Sequence, residues 1–213
     1  MVKPAMVYIS QCTEIGSIYS KAELVEISSF CKSNGLILFV DGARLATALT
    51  SAYADLNIED LAILADVFYI GATKNAGLLG EAIVFKNKEL AHGFDYYIKQ
   101  KGALMAKGRI LGAQFYALFD DNLFFDLGKH ANQMAAKIAD AFQSRGFEFS
   151  SKPVSNQIFP ILPYSAIKEL HKKYEFYVWQ KLDGDKAVVR IVTSWATAES
   201  VIDQFIADLP QAF

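Results

Sequence analysis

The sequence predicts an α/β fold, with a mostly parallel sheet in a larger first part and a smaller α+β part after it. Three observations lead there. Short apolar runs such as Leu36 to Val40 and Val67 to Ile70 end abruptly at Asp41 and near Lys74, as buried strands of a parallel sheet do where they open on a ligand crevice. Through the first part these runs alternate with helical patterns, the order of α/β layering. Beyond Asp120-Asp121-Asn122 the order changes to one long helical pattern followed by clustered strands. Domains of 1–122 and 123–213 are therefore expected, packed closely, since no stretch rich in Gly, Ser or Pro separates them.

Met6 to Ser10 is the first strand candidate, followed by a polar loop from Gln11 to Tyr19. Ser20 and Glu23 have capping-box spacing, Leu24, Ile27 and Cys31 share one face, and Gly35 is the stop, so a helix lies between. Leu36 to Val40 is the next strand, then a helix within Leu56 to Leu64, and strands at Val67 to Ile70 and Ala82 to Phe85. The basic stretch from Lys99 to Arg109 opens a helix over Ile110 to Phe119. In the second part a helix runs from about Phe124 to Ser144 and stops at Gly146. Phe147 to Phe149, Gln157 to Leu162, Tyr174 to Gln180 and Ala187 to Thr193 read as strands, with helices near Ser165 to Lys172 and from near Thr197.

A chain of 213 residues, 53% of them apolar, can bury a substantial core. Its 21 basic and 23 acidic residues leave a net charge of −2, so nothing at whole-chain level attracts nucleic acid or an anionic membrane, and any anion site must be local. Cys12 and Cys31 make neither a disulfide framework nor a metal-ligand pattern and read as reduced, cytoplasmic thiols. The first residues carry no targeting pattern, and no segment approaches the roughly 20 apolar residues of a membrane span.

Asp41 ends an apolar strand, where a carboxylate needs a cation or strong donors. Arg44 could serve as a structural partner; the functional partner would be the pyridinium nitrogen of a cofactor, kept protonated so that the ring accepts electrons. Lys74 reads either as a solvated loop lysine or, among the small residues Gly71 to Gly80, as an amine approached closely by a ligand. That segment lacks the Lys-Ser or Lys-Thr pair of a Walker loop. Lys107 and Arg109 stand before a helix, either as a solvated basic face or as a phosphate site. Arg190 lies in an apolar strand on the face opposite Val189 and Ile191, as an exposed sheet arginine or as a fork for a substrate carboxylate. His92, His130 and His171 have no partner at triad spacing and are given no role.

Together, Asp41-Gly42-Ala43-Arg44, Thr73-Lys74, the basic segment before Gly112 and Arg190 to Ser194 resemble fold-type-I pyridoxal-phosphate enzymes, most closely the threonine aldolase and β-eliminating lyase family. The resemblance implies part of that family's major domain plus its small domain. It implies Asp41 at the pyridine nitrogen, Lys74 as the lysine that carries the cofactor, and Thr73 beside it. Arg44 and Arg190 would hold the substrate carboxylate, with Arg44 also near the ring oxygen. The implied reaction cleaves a β-hydroxy-α-amino acid to glycine and an aldehyde in a cytoplasmic homodimer or homotetramer; aminotransfer and β-elimination are the alternatives. Three departures accompany it. Glu14 stands where aldolases of the family have a histidine, and becomes the candidate base. The family's phosphate-binding Met-Arg-Gln reads Met105-Ala106-Lys107, so Lys107 or Arg109 takes that duty. The family's N-terminal part, with its phosphate-cradling turn and ring-stacking residue, has no counterpart, so Met1 is expected not to be the natural start, and an incomplete site is a further alternative.

Overall fold

The computed structural model describes residues 2–211. Strand β1 (Met6–Ser10) leads through a loop into helix α1 (Lys21–Ser33), followed by β2 (Ile37–Asp41). Next come α2 (Leu45–Leu49), α3 (Ile58–Leu64), β3 (Val67–Gly71) and β4 (Glu81–Phe85). The four strands form one sheet in the order β1-β2-β3-β4, parallel except at the β3–β4 hairpin. Helices α4 (Phe94–Gln100) and α5 (Arg109–Phe119) lead to α6 (Leu123–Ser144). A second antiparallel sheet holds β5 (Gln157–Ile158), β6 (Ile161–Pro163), β7 (Tyr177–Lys181) and β8 (Lys186–Val192), with α7 (Tyr164–Leu170) after β6 and α8 (Glu199–Asp208) last. No described helix is long and apolar enough to cross a membrane.

Local chemistry explains most boundaries. Ser20 and Glu23 form the expected capping box of α1, and Asn57 and Asp60 form another at α3. The expected strand from Gln157 to Leu162 is instead two pieces, because Pro160 between them has no N–H to give a ladder and makes only an isolated bridge with Phe149. For the same reason Phe147 to Phe149 is not a strand. The strand expected from Tyr174 begins only at Tyr177. Helices α2 and α4 were not legible: both are short, and neither has a side chain capping its first turn.

Strand alternation divides the first sheet sharply. Val7, Ile9, Leu38, Val40, Phe68, Ile70, Ala82 and Val84 join Leu24, Leu45, Leu61 and Phe124 in one core. The register puts Tyr8, Phe39, Asp41 and Tyr69 on the opposite face, where Tyr8 and Met6 are exposed. A second core gathers Met134, Ile138 and Phe142 of α6 with Ile158, Leu162, Val189, Ile202 and Phe205. Helix α6 thus contributes to both cores, entering the first through Phe124 and the second from Met134 onward.

Candidate active site

At the carboxyl end of the first sheet, two glycines let β2 and β3 press together. A Cβ on Gly42 would fall 1.9 Å from the Tyr69 carbonyl oxygen, and one on Gly71 would fall 2.6 Å from that of Ala43. The Gly71 N–H donates to the Gly42 carbonyl at 2.9 Å, fastening the two strand ends. Asp41 therefore sits beside the segment that leads to Lys74.

Asp41 is met by donors rather than by a cation in contact. Its Oδ1 accepts from the Ala43 N–H at 2.8 Å and from the Tyr69 hydroxyl, and its Oδ2 from the Tyr8 hydroxyl at 2.5 Å. Burial opposes the charge, but the two phenols, the N–H and the attraction of Lys74 outweigh it and hold the carboxyl below its ordinary range. In return, the hydrogen bond to Asp41, with burial and the carboxylate charge, pushes Tyr8 up to about 12. Tyr69 is raised as well, by burial and then by Asp41. The salt bridges of the described residues do not include one between Asp41 and Arg44.

Lys74 is exposed, but its loop is anchored. Asn75 is buried and donates its Nδ2 to the Phe124 carbonyl at 2.9 Å, while the Asn75 and Gly77 N–H groups both reach the Ala72 carbonyl at 2.8 Å. Glu81 braces the approach: it accepts from the Ala72 N–H at 2.9 Å and from the Thr73 hydroxyl at 3.2 Å.

Arg190 reaches the same end from β8. Its Nη2 donates to Gln157 Oε1 at 2.5 Å, and its guanidinium lies 5.4 Å from the Trp179 ring centroid. The buried Nε–H has no acceptor. Burial, and next the like charge of Arg44, lower the pKa of Arg190, against smaller opposing effects led by Glu14. Arg44, Arg190 and Glu14 therefore share one electrostatic neighbourhood, to which Tyr8 also belongs through Glu14. Two arginines of like charge, one of them with a buried Nε–H that lacks an acceptor, would suit a carboxylate.

Comparison with known proteins identifies the family to which this fold belongs. The sequence profile of the family described as Beta-eliminating lyase matches residues 1–162. The chain belongs to the beta-eliminating lyase family. Among curated family relatives, a low specificity L-threonine aldolase of Pseudomonas sp. (strain NCIMB 10558) is 36% identical, over 97% of this chain and 59% of that protein. Its Pseudomonas aeruginosa counterpart is 34% identical over the same shares. The solved threonine aldolase of Leishmania major superposes with a TM-score of 0.95 at 47% identity, over 97% of this chain and 60% of that one. The mostly parallel α/β architecture expected from sequence is thus that of the family, and the chain spans about three-fifths of the length of these relatives.

Within this lyase-family fold, not every expected residue joins the cluster. Asp41, Lys74, Arg44, Glu14 and Arg190 are linked by the charge effects above, and Thr73 precedes Lys74. Lys107 and Arg109 are exposed near the start of α5, and among the described residues their side chains make no hydrogen bond or salt bridge to the site. Gln114, farther along α5, accepts from the Leu78 and Leu79 N–H groups at 2.6 and 3.2 Å. Tyr8, Tyr69, Glu81 and Gln157 were missed by sequence reasoning. The two tyrosines could have been found by aligning β1 and β3 with β2, which sets Ser10 opposite Asp41 and Tyr8 one pleat before it.

Proposed function

We infer that this chain carries the site of a pyridoxal-phosphate-dependent lyase that cleaves a β-hydroxy-α-amino acid to glycine and an aldehyde, the activity named for its Pseudomonas and Leishmania relatives. The observation that carries this reading is an ionised carboxylate, held by two phenols and a backbone N–H, within charge reach of a lysine. The donor set fits such a cofactor: Asp41 for the pyridine nitrogen, Lys74 for the aldehyde, and Arg44 for the ring oxygen. The unpaired Nε–H of Arg190 supports a missing acceptor beside it. Bound there, pyridoxal phosphate would supply an electron sink for the pair left on the substrate α-carbon.

The chain's own groups then divide the work. Asp41 keeps its negative charge because Tyr8, Tyr69 and Ala43 donate to it, so a protonated ring nitrogen finds a matched partner. Arg190 and Arg44 hold the substrate carboxylate, and Glu14, on the loop near both Tyr8 and Arg190, takes the proton of the β-hydroxyl. Lys107 or Arg109, at the entrance of the helix that Gln114 ties to the loop after Lys74, is assigned to the phosphate, and Thr73 to the cofactor beside Lys74. The domains we assign are 1–122 and 123–213, the second supplying Arg190. Exposed apolar residues between Leu78 and Leu123, including Tyr96 at 82% and Tyr116 at 77%, support a homodimer or homotetramer. Two buried free thiols, Cys12 and Cys31, support a cytoplasmic setting.

The test is to incubate the chain with pyridoxal phosphate, reduce with borohydride and map the modified lysine by mass spectrometry. Label confined to Lys74 is expected. No label there at saturating cofactor would overturn the reading and leave an incomplete site. Aldehyde released from threonine or allo-threonine would then separate aldol cleavage from aminotransfer or β-elimination, each of which yields a keto acid.

A further inference from the structure

Gln157 occupies an unusual position for a polar side chain: it is 1% exposed and touches two segments far from it in sequence. Its Oε1 accepts from Arg190 Nη2 at 2.5 Å. Its Nε2 donates to the Thr13 carbonyl at 3.3 Å and lies 3.7 Å from Cys12 Sγ. Its backbone holds β5 to Val192 of β8, and its carbonyl is so close to Gly16 that a Cβ there would come within 2.6 Å. The side chain therefore connects the loop carrying Glu14 with the strand carrying Arg190.

The chemistry of the amide is what matters. The Thr13 carbonyl can only accept, so it fixes the Nε2 end of Gln157 toward the loop and leaves Oε1 facing Arg190. An amide oxygen directs a guanidinium without neutralising it. A glutamate in that place would form an ion pair and compete with any incoming carboxylate for the same charge. Burial of the amide then fixes the rotation of the arginine fork, which otherwise would turn freely about a long side chain.

We propose that Gln157 is a positioning residue that aims Arg190 at the carboxylate of the amino-acid substrate while leaving its charge available. This rests on the carboxylate-binding reading of Arg190 given above. The same contact couples the fork to the Glu14 loop, so substrate carboxylate and candidate base are set from one anchor.

The test uses the full chain loaded with pyridoxal phosphate, with binding followed by the cofactor absorbance rather than by turnover. The probes are glycine, which carries a carboxylate, and 2-aminoethanol, which does not. Gln157→Glu is expected to weaken glycine binding about tenfold or more, with affinity recovering as pH falls and the new carboxylate takes up a proton. Gln157→Leu should weaken it without that recovery, Gln157→Asn should fall between, and 2-aminoethanol should bind all forms alike. Unchanged glycine affinity, or equal losses for both probes, would overturn the proposal. A second measurement is independent of the cofactor: the rate at which phenylglyoxal modifies Arg190, mapped by mass spectrometry, should rise several-fold in Gln157→Leu. If wild type fails to bind glycine but this rate rises, the carboxylate reading is wrong and the positioning role stands; if the rate does not move, the positioning role is wrong. Circular dichroism of each variant separates these outcomes from misfolding.

Discussion

Arg44 and Arg190 on one side, and Lys107 and Arg109 on the other, are two pairs of cations in opposite circumstances. The first pair is half-buried at the sheet end and close enough for mutual repulsion to register in the acidity of Arg190. The second stands in a stretch, residues 101–110, that is exposed throughout. In the half-buried pair, repulsion at reduced dielectric is relieved when an anion arrives. Water already screens the exposed pair, so an anion there gains contacts but relieves little. Equal charge in the sequence therefore means a demand for a ligand in one region and only an opportunity for one in the other.

The contrast can be broken first at its backbone. Gly42→Ala should lower the unfolding free energy by about 3 kcal/mol, because the atom it would strike is a strand carbonyl that cannot turn aside. An unchanged denaturant midpoint would show that the sheet end is looser than described.

Next in size is the effect on titration. Asp41→Asn should bring Tyr8 from about 12 down toward its ordinary value, about 10, read from tyrosinate absorbance. The signs follow from the two shifts. Asp41, held low, contributes stability above its unfolded pKa that fades as pH falls through the lowered folded value. Tyr8, held high, contributes stability below its unfolded value that is lost as pH rises through about 12. Both contributions should vanish together in the variant; a Tyr8 titration that does not move would separate the pair.

At the exposed end, the double variant Lys107→Ala, Arg109→Ala should raise the pyridoxal-phosphate concentration for half-saturation about tenfold. The same variant should leave unfolding free energy within about 0.5 kcal/mol. A stability loss of several kcal/mol there would erase the distinction between the regions. Smallest is Gly112→Ala, an exposed position inside α5 with no atom within 4 Å of a new Cβ. It should stabilise by about 0.5 to 1 kcal/mol, seen as a higher denaturant midpoint, the opposite sign to Gly42→Ala.

What could be read from sequence follows the same physical line. Asp41, Lys74 and Arg190 stood out because each interrupts or terminates an apolar run, and desolvation makes such charges informative. Tyr8 and Tyr69 carried no such signal: a tyrosine in a strand is an ordinary face residue until register brings its hydroxyl to a partner. Gln157 was hidden at the start of an apolar run, where only the fold reveals that it meets Arg190 and the Thr13 carbonyl together. The strands of the first sheet were legible because parallel strands are continuously apolar, whereas α2 has five residues and no capping side chain. Pro160 was a visible sign that the run from Gln157 to Leu162 would break, since it removes a ladder donor.

Helix α6 spans 22 residues, with Phe124 in one core and Phe142 in the other. Asn132, between them, donates to the Thr47 carbonyl at 2.9 Å, and the Ala131 carbonyl accepts from the Thr193 hydroxyl. Heat cannot strip either sheet without baring a stretch of apolar helix that the other leaves uncovered. The chain should accordingly melt as one block, and the distance from Asp41 to Arg190, which spans both sheets, survives or disappears with that single event.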